Sequence, residues 1–271
     1  MKLKIALIQM KVQDNKNLNI QTAENYIREA AKNGARLIVL PEMFNTPYDN
    51  NFFPKFAEKY PGETTNFLKE LAKELNITIV GGSIPEKEDN DIYNTSYVFS
   101  EKGELIAKHR KIHLFDIDVE GGAKFKESDT LTAGENLTTF EVDGMKFGLI
   151  ICYDIRFPEL SMSLAVQNVD AIIIPAAFNM TTGPAHWHLS ARARALDNQV
   201  YTLLCSQSRN EKSSYTAYGH SLVASPWGDI SKELETKEGI LYYNLDKDYI
   251  KKVRKELPLL KHRRPEIYKT N

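Results

Sequence analysis

The 271-residue chain holds only two cysteines, Cys152 and Cys205, and neither belongs to a C-x-x-C pair. That excludes a disulfide scaffold, and it points to reduced thiols in a cytoplasmic protein. Long hydrophobic runs are also missing, and none approaches the roughly 20 apolar residues of a membrane-spanning helix. The opening Met1-Lys-Leu-Lys-Ile-Ala-Leu-Ile-Gln-Met10 is a short strand-like run without a cleavage site, so no secretory leader is expected. No charge sign dominates: 35 basic residues are interspersed with 36 acidic ones, for a net charge of −1. Such a balance favours neither a nucleic-acid nor a membrane partner. Proline- and glycine-rich linkers, low-complexity tracts and strong repeats are absent. Residues 1–271 are therefore expected to form a single domain.

What is present is an ample apolar fraction, 42%, patterned as alternating strands and helices. Lys4–Gln9 and Arg36–Leu40 read as buried strands around a helix over Asn19–Asn33, which Gly34 stops. A second amphipathic helix over Thr64–Leu75 leads to a strand at Ile77–Gly81. Tyr93–Phe99 and Glu104–Lys108 form an expected hairpin, followed by a long polar loop reaching about Glu135. Leu137–Val142 and Lys146–Ile151 pair through Asp143-Gly144, a strong turn signal. Helices are expected over Glu159–Gln167, from Pro184 to about Asn198, and from an Asp246 cap to Leu257. Between them lie a strand at Asp170–Pro175, ended by its proline, an apolar strand at Val200–Ser206, and two or three more between Tyr218 and Asn244. This order predicts an α/β protein with mixed sheets flanked by helices.

Three chemically capable residues lie just past strand ends: Glu42 after Leu-Ile-Val-Leu-Pro, Lys111, and Cys152 after Phe147–Ile151. Binding clefts form at that edge of open α/β sheets. Each residue alone has a plainer reading, as a solvated acid, a surface base or a packed thiol. Together they form a working set. A protonated thiol needs a base within reach, and a carboxylate serves if burial or a second acid raises its pKa. An ammonium beside both favours the thiolate and then a tetrahedral oxyanion, with the Tyr153 backbone N–H as a second donor. A Cys–His pair using His113, His186, His188 or His220 is the competing arrangement, but none has a cysteine-protease context.

At these residues the chain resembles the nitrilase superfamily of carbon–nitrogen hydrolases. The likeness rests on Leu40-Pro-Glu42, on Arg110-Lys111 followed by His113-Leu-Phe115, and on Cys152-Tyr-Asp-Ile-Arg-Phe-Pro-Glu159. It implies a Glu42–Lys111–Cys152 triad, no cofactor, and a four-layer α-β-β-α sandwich with two mixed β-sheets that associates as a homodimer or higher homo-oligomer. Gly81–Glu86, Lys111–Asp118, Phe178–Trp187, Asp197–Tyr201 and Gly219-His220 with Pro226-Trp-Gly228 are most similar to the omega-amidases. That branch implies a small amide substrate, 2-oxoglutaramate or 2-oxosuccinamate, and a second orienting acid at Glu127. His188 departs from the branch, where an acid is expected.

Arg156 is a candidate for a substrate carboxylate, or else a brace for the turn, while Arg192 and Arg194 read as helix-face ion pairs. Tyr48 and Phe178 are candidates for the pocket wall or for the core. His186 and His188, two apart on a helix, point away from each other, so no metal site is expected from that pair. Other carboxylated amides, N-carbamoyl compounds and nitriles remain alternative substrates, and an idle binding protein on the same fold is the alternative class.

Overall fold

The computed structural model describes residues 1–213 and 215–268. Strand β1 (Lys2–Gln9) leads to helix α1 (Lys16–Lys32), β2 (Leu37–Val39), a short α2 (Phe53–Phe56) and α3 (Glu63–Leu75). Next come β3 (Thr78–Val80), β4 (Ile84–Glu88), β5 (Asp91–Phe99) and β6 (Leu105–Arg110). The expected polar loop carries a small ribbon of β7 (Asp116–Asp118) and β8 (Lys124–Lys126). The second half runs β9 (Thr138–Val142), β10 (Met145–Leu149), α4 (Pro158–Ala165), β11 (Ala171–Ala176), α5 (Gly183–Asn198) and β12 (Tyr201–Ser206). It closes with β13 (Leu222–Ala224), β14 (Ile230–Glu233), β15 (Gly239–Asp246) and α6 (Lys247–Glu256).

Two mixed sheets result. The first is ordered β15-β1-β2-β3-β5-β4, with β6 also on β5, and the second β14-β13-β12-β11-β10-β9. Period-2 alternation in β1 assigns its side chains to two cores. Ile5 and Leu7 face the second sheet and pack with Phe147, Leu149, Ile173 and Leu203. Ala6 and Ile8 face outward, against Ala23 and Ile27 of α1 and Leu68 and Leu71 of α3. On the far side, Ile172, Ile174 and Leu204 pack against Leu164 of α4 and Trp187, Ala191 and Ala195 of α5. The layers are thus helix, sheet, sheet, helix: the α-β-β-α sandwich expected, with Cys205 sealed between the sheets.

Local chemistry explains the boundaries. Asn15 caps α1 by accepting from the Leu18 N–H, and Asp246 caps α6 by accepting from Asp248. Asp143 and Gly144 both take positive φ, 46° and 74°, as a two-residue hairpin turn demands. Two readings need correction. Strand β4 was not anticipated, and β11 runs through Pro175 to Ala176 rather than ending at the proline. Pairing with β10 stops at Ile173, so Pro175 falls where β11 has a single neighbour, β12.

Candidate active site

Three strand ends deliver the central residues. Leu40 and Pro41 extend β2 to Glu42, β6 runs directly into Lys111, and Ile150-Ile151 carry β10 to Cys152. The Glu42 corner is held tightly. Gly82, at φ +53°, lies so close to Pro41 that a Cβ would come within 2.0 Å of its carbonyl oxygen. Gln207 donates through Nε2 to the Glu42 carbonyl at 2.8 Å, and the Met43 N–H donates to Ser83 Oγ at 3.0 Å. The Lys111 N–H donates to the Asn94 carbonyl at 2.9 Å. Cys152 starts a helical turn, Cys152–Arg156, with φ of 45°, a strained value for a residue with a side chain.

Lys111 is completely buried, and its ammonium lies 2.9 Å from Glu42 Oε1, 2.9 Å from Glu127 Oε1 and 3.2 Å from the Tyr48 hydroxyl. All three of its protons therefore have acceptors. Burial opposes its charge, but Glu127 and Glu42 outweigh that and raise its pKa. Glu127 is saturated as well. Its Oε1 also accepts from the Tyr48 hydroxyl at 2.5 Å, and Oε2 accepts from the Phe115 N–H at 2.6 Å.

Glu42 differs. Oε1 accepts from Lys111 and from Asn94 Nδ2 at 2.8 Å, while the buried Oε2 has no hydrogen-bond partner among the described residues. Burial pushes its carboxyl above the usual carboxylate value. Lys111 pulls it down and Glu127 pushes it up, with a net rise. The Cys152 thiol neighbours this carboxylate, and burial and the Glu42 charge push its pKa well up, against Lys111 and the Ala177 amide. The environment therefore favours the protonated thiol, beside a carboxyl whose Oε2 has no hydrogen-bond partner among the described residues. A preformed thiolate is not what this environment favours.

Around the thiol, Tyr153 packs edge-on to Phe115 and Phe157, with centroids 5.2 and 5.5 Å away. Its N–H belongs to the first turn of a helical segment, where backbone donors lack intrahelical acceptors. The Arg156 guanidinium lies 4.7 Å above the Phe178 ring and donates to His186 Nδ1 at 3.0 Å. It meets no carboxylate within ion-pair distance among the described residues, and its buried Nε has no partner there. Desolvation lowers its pKa. Phe178 is buried against Trp187. Tyr48, a candidate for the pocket wall or the core, is buried and points its hydroxyl between Lys111 and Glu127. Of the other arginines, Arg194 pairs with Asp197 on the helix surface, and Arg192 donates to the Gly228 carbonyl rather than to an acid.

Four contributors gave no local signal. Asn94 holds Glu42, and Gln207 holds its backbone. Tyr215 packs on Tyr48 with tilted rings, centroids 4.6 Å apart, and donates to the Ala177 carbonyl. Buried Asp154 accepts from the Ile151 N–H, from the His113 N–H and ring, and at 3.4 Å from the His109 ring. It ties the turn bearing Cys152 to the residues flanking Lys111.

Residues 4–255 match the family model described as carbon-nitrogen hydrolase. The chain is 49% identical to the omega-amidase NIT2 of Mus musculus over 265 residues, 98% of this chain and 96% of that protein. It is 47% identical to the omega-amidase NIT2 of Danio rerio over 270 residues, covering 100% and 98%. Saccharomyces cerevisiae Nit3, a member of branch 10 of the nitrilase superfamily, superposes with a TM-score of 0.89 at 47% identity, covering 97% of each chain.

Proposed function

This chain belongs to the carbon–nitrogen hydrolase family, and from that premise we propose that it hydrolyses the distal amide of 2-oxoglutaramate or 2-oxosuccinamate, releasing ammonia. That it is a hydrolytic amidase follows from its omega-amidase relatives; the residue roles and the substrate are the proposal. The match over residues 4–255 supports one catalytic unit. The observation that carries the mechanism is the buried Glu42 carboxyl against the Cys152 thiol, held by Lys111 and Asn94 through Oε1 while Oε2 has no hydrogen-bond partner among the described residues.

Glu42 takes the thiol proton as Sγ bonds to the amide carbon, and the carbonyl oxygen becomes an oxyanion. The Tyr153 N–H and the Lys111 charge stabilise that oxyanion; the 3.2 Å contact to Tyr48 is the longest Lys111 can release. Glu42 then passes its proton to the departing nitrogen, the C–N bond breaks, and ammonia leaves a thioester. Water attacks the thioester as Glu42 accepts its proton. The tetrahedral adduct collapses to the dicarboxylate, and the proton returns to Cys152. Glu127 holds Lys111 and, as a like charge, holds the Glu42 pKa up.

Arg156 supports an anionic substrate: a guanidinium half-sunk beside Phe178, with no acid partner among the described residues, suits a carboxylate arriving from solution. This favours carboxylated amides over simple nitriles. The buried, charge-balanced triad argues against an idle binding protein. Exposed Leu189 and Leu196 on α5 support a homodimer or higher homo-oligomer formed through that face. Two free cysteines agree with a cytoplasmic setting, and no helix among the described residues is long and apolar enough to cross a membrane.

The test is ammonia release from 2-oxoglutaramate, N-carbamoyl-β-alanine and a simple nitrile. Preference for the first is expected. Preference for either of the others overturns the substrate, and inertness toward all three together with an unreactive Cys152 overturns the mechanism.

A further inference from the structure

The two histidines near the start of α5 part company. His186 turns to Arg156, while His188 turns away to Glu233 of β14. There it meets a third residue from a distant part of the chain. His188 Nε2 lies 2.8 Å from Glu233 Oε1, and His220 Nδ1 lies 2.7 Å from the same oxygen. All three donor atoms fall within 4.8 Å of one another.

Two of the three positions are well held. The His220 backbone sits at φ +61°, its N–H bonded to the Glu235 carbonyl and its own carbonyl accepting from Trp187 Nε1 at 2.7 Å. Its ring stacks on Tyr218 with centroids 4.5 Å apart. His188 is fixed in α5, with its ring edge toward the same tyrosine. Glu233, on a short strand, is the adjustable member. The side chains are 35%, 22% and 31% exposed, so an ion can enter from solvent. Left-handed backbone at a residue with a side chain is the kind of strain that accompanies function.

We infer that His188, His220 and Glu233 form a site for a divalent transition-metal ion of the zinc type, with its remaining position open to water. Two imidazoles and one carboxylate are a zinc ligand set, with bonds of about 2.0–2.2 Å that put neighbouring ligand atoms roughly 3.3 Å apart. Glu233 Oε1 lies closer than that to both rings, at 2.8 and 2.7 Å. Binding requires the carboxylate to retreat by roughly half an ångström while the imidazoles close on the ion. The ion would staple α5 to β14 and to the His220 turn. That turn holds Trp187, which in turn packs on Phe178.

The experiment is a titration of the full-length chain with Co²⁺, followed by Zn²⁺. The expected result is one Co²⁺ per chain, giving visible d–d bands without a thiolate charge-transfer band, displaced by Zn²⁺, which also raises Tm. His188→Ala, a change on a helix surface, and Glu233→Gln should each weaken binding by more than the 10- to 100-fold or so that loss of an outer partner costs. Failure to bind either ion overturns the site, as does undiminished, wild-type affinity in either variant. A thiolate band in the spectrum would place the ion on Cys152 and overturn the assignment as well.

Discussion

Lys111 reaches Glu42 through one oxygen only: Nζ lies 2.9 Å from Oε1, and Oε2 is left without a hydrogen-bond partner among the described residues. An unpaired carboxylate oxygen in a fully buried site is costly unless something else uses it. Here the neighbouring group with a proton to give is the Cys152 thiol. In the proposed mechanism the ammonium thus orients the base and balances its charge without occupying Oε2.

Alkylation should discriminate between the two cysteines. Cys205 is sealed between the sheets, its thiol donating to the Ile8 and Val39 carbonyls at 3.3 Å, and burial pushes its pKa up. Cys152 also has a raised pKa but lies beside the Glu42 carboxyl, its proposed base, just past the end of β10. Iodoacetamide should therefore modify Cys152 first, in step with loss of turnover. Peptide mapping that finds Cys205 alkylated first, with activity falling in parallel, would refute the nucleophile.

Replacing the ammonium should be severe even at constant charge. A guanidinium in Lys111→Arg is too wide for a fully enclosed site between Glu42, Glu127 and Tyr48, so it displaces the base it must orient. A loss on the order of 10²–10³ in kcat is expected, comparable to removal of an oxyanion donor. Near-normal turnover would reduce Lys111 to a charge-balancing role.

Asp154→Asn tests the brace between the two halves of the site. The carboxylate accepts from four N–H groups, and an amide oxygen cannot serve both sides. The expected cost is about 2–4 kcal/mol in urea unfolding. Burial alone would raise the Asp154 pKa, but the His109 and His113 bonds overcome it and hold it far below the usual value. With the folded pKa below the unfolded one, this stabilisation is complete above the unfolded value near 3.9 and fades as pH falls toward the folded one. The variant should lack that acid-dependent component. An unchanged urea midpoint near neutrality would refute the brace.

Much of this arrangement was legible because the three central residues stand at strand ends, where sequence marks them. Glu42 follows an apolar strand and a proline, and Cys152 ends the Phe147–Ile151 run. Asn94 left no such mark: inside β5 it reads as one polar residue on a strand, and only packing shows that it holds Glu42. Tyr48 was readable as an aromatic near the pocket but not as a hydroxyl placed between Lys111 and Glu127, since that depends on how the loop after β2 folds back. Pro175 misled because a proline usually ends pairing, whereas the staggered end of β10 leaves that part of β11 with one neighbour. His188 and Glu233 are 45 residues apart, so their approach is invisible to any local spacing rule.

Arg156→Lys should separate binding from chemistry. A lysine retains the charge but loses the planar fork that grips a carboxylate. A lost charged hydrogen bond is worth about 1.5–3 kcal/mol, so KM for 2-oxoglutaramate should rise by about 10- to 100-fold with a smaller change in kcat. An amide lacking the remote carboxylate should be little affected. Equal losses on both substrates would make Arg156 a brace for the turn.

The two glutamates can be told apart by pH. Glu42→Gln keeps size but cannot accept the thiol proton, so acylation and thioester hydrolysis should both nearly stop. Glu127→Gln removes a charge rather than the base. The Glu42 pKa is raised by burial first, and the negative charge of Glu127 adds to that rise while Lys111 opposes it. Without Glu127, Glu42 loses its proton more easily, so its pKa falls and the acidic limb of the kcat/KM profile moves to lower pH. Lys111 loses one of its two counter-charges but keeps Glu42, and therefore stays charged at neutral pH. Turnover should drop by a smaller factor than in Glu42→Gln, because Lys111 loses a charged acceptor and can drift from its place. Both variants can be measured with one amide across a pH series. If Glu127→Gln is the deader of the two, or if its acidic limb moves upward, the base has been assigned to the wrong carboxylate.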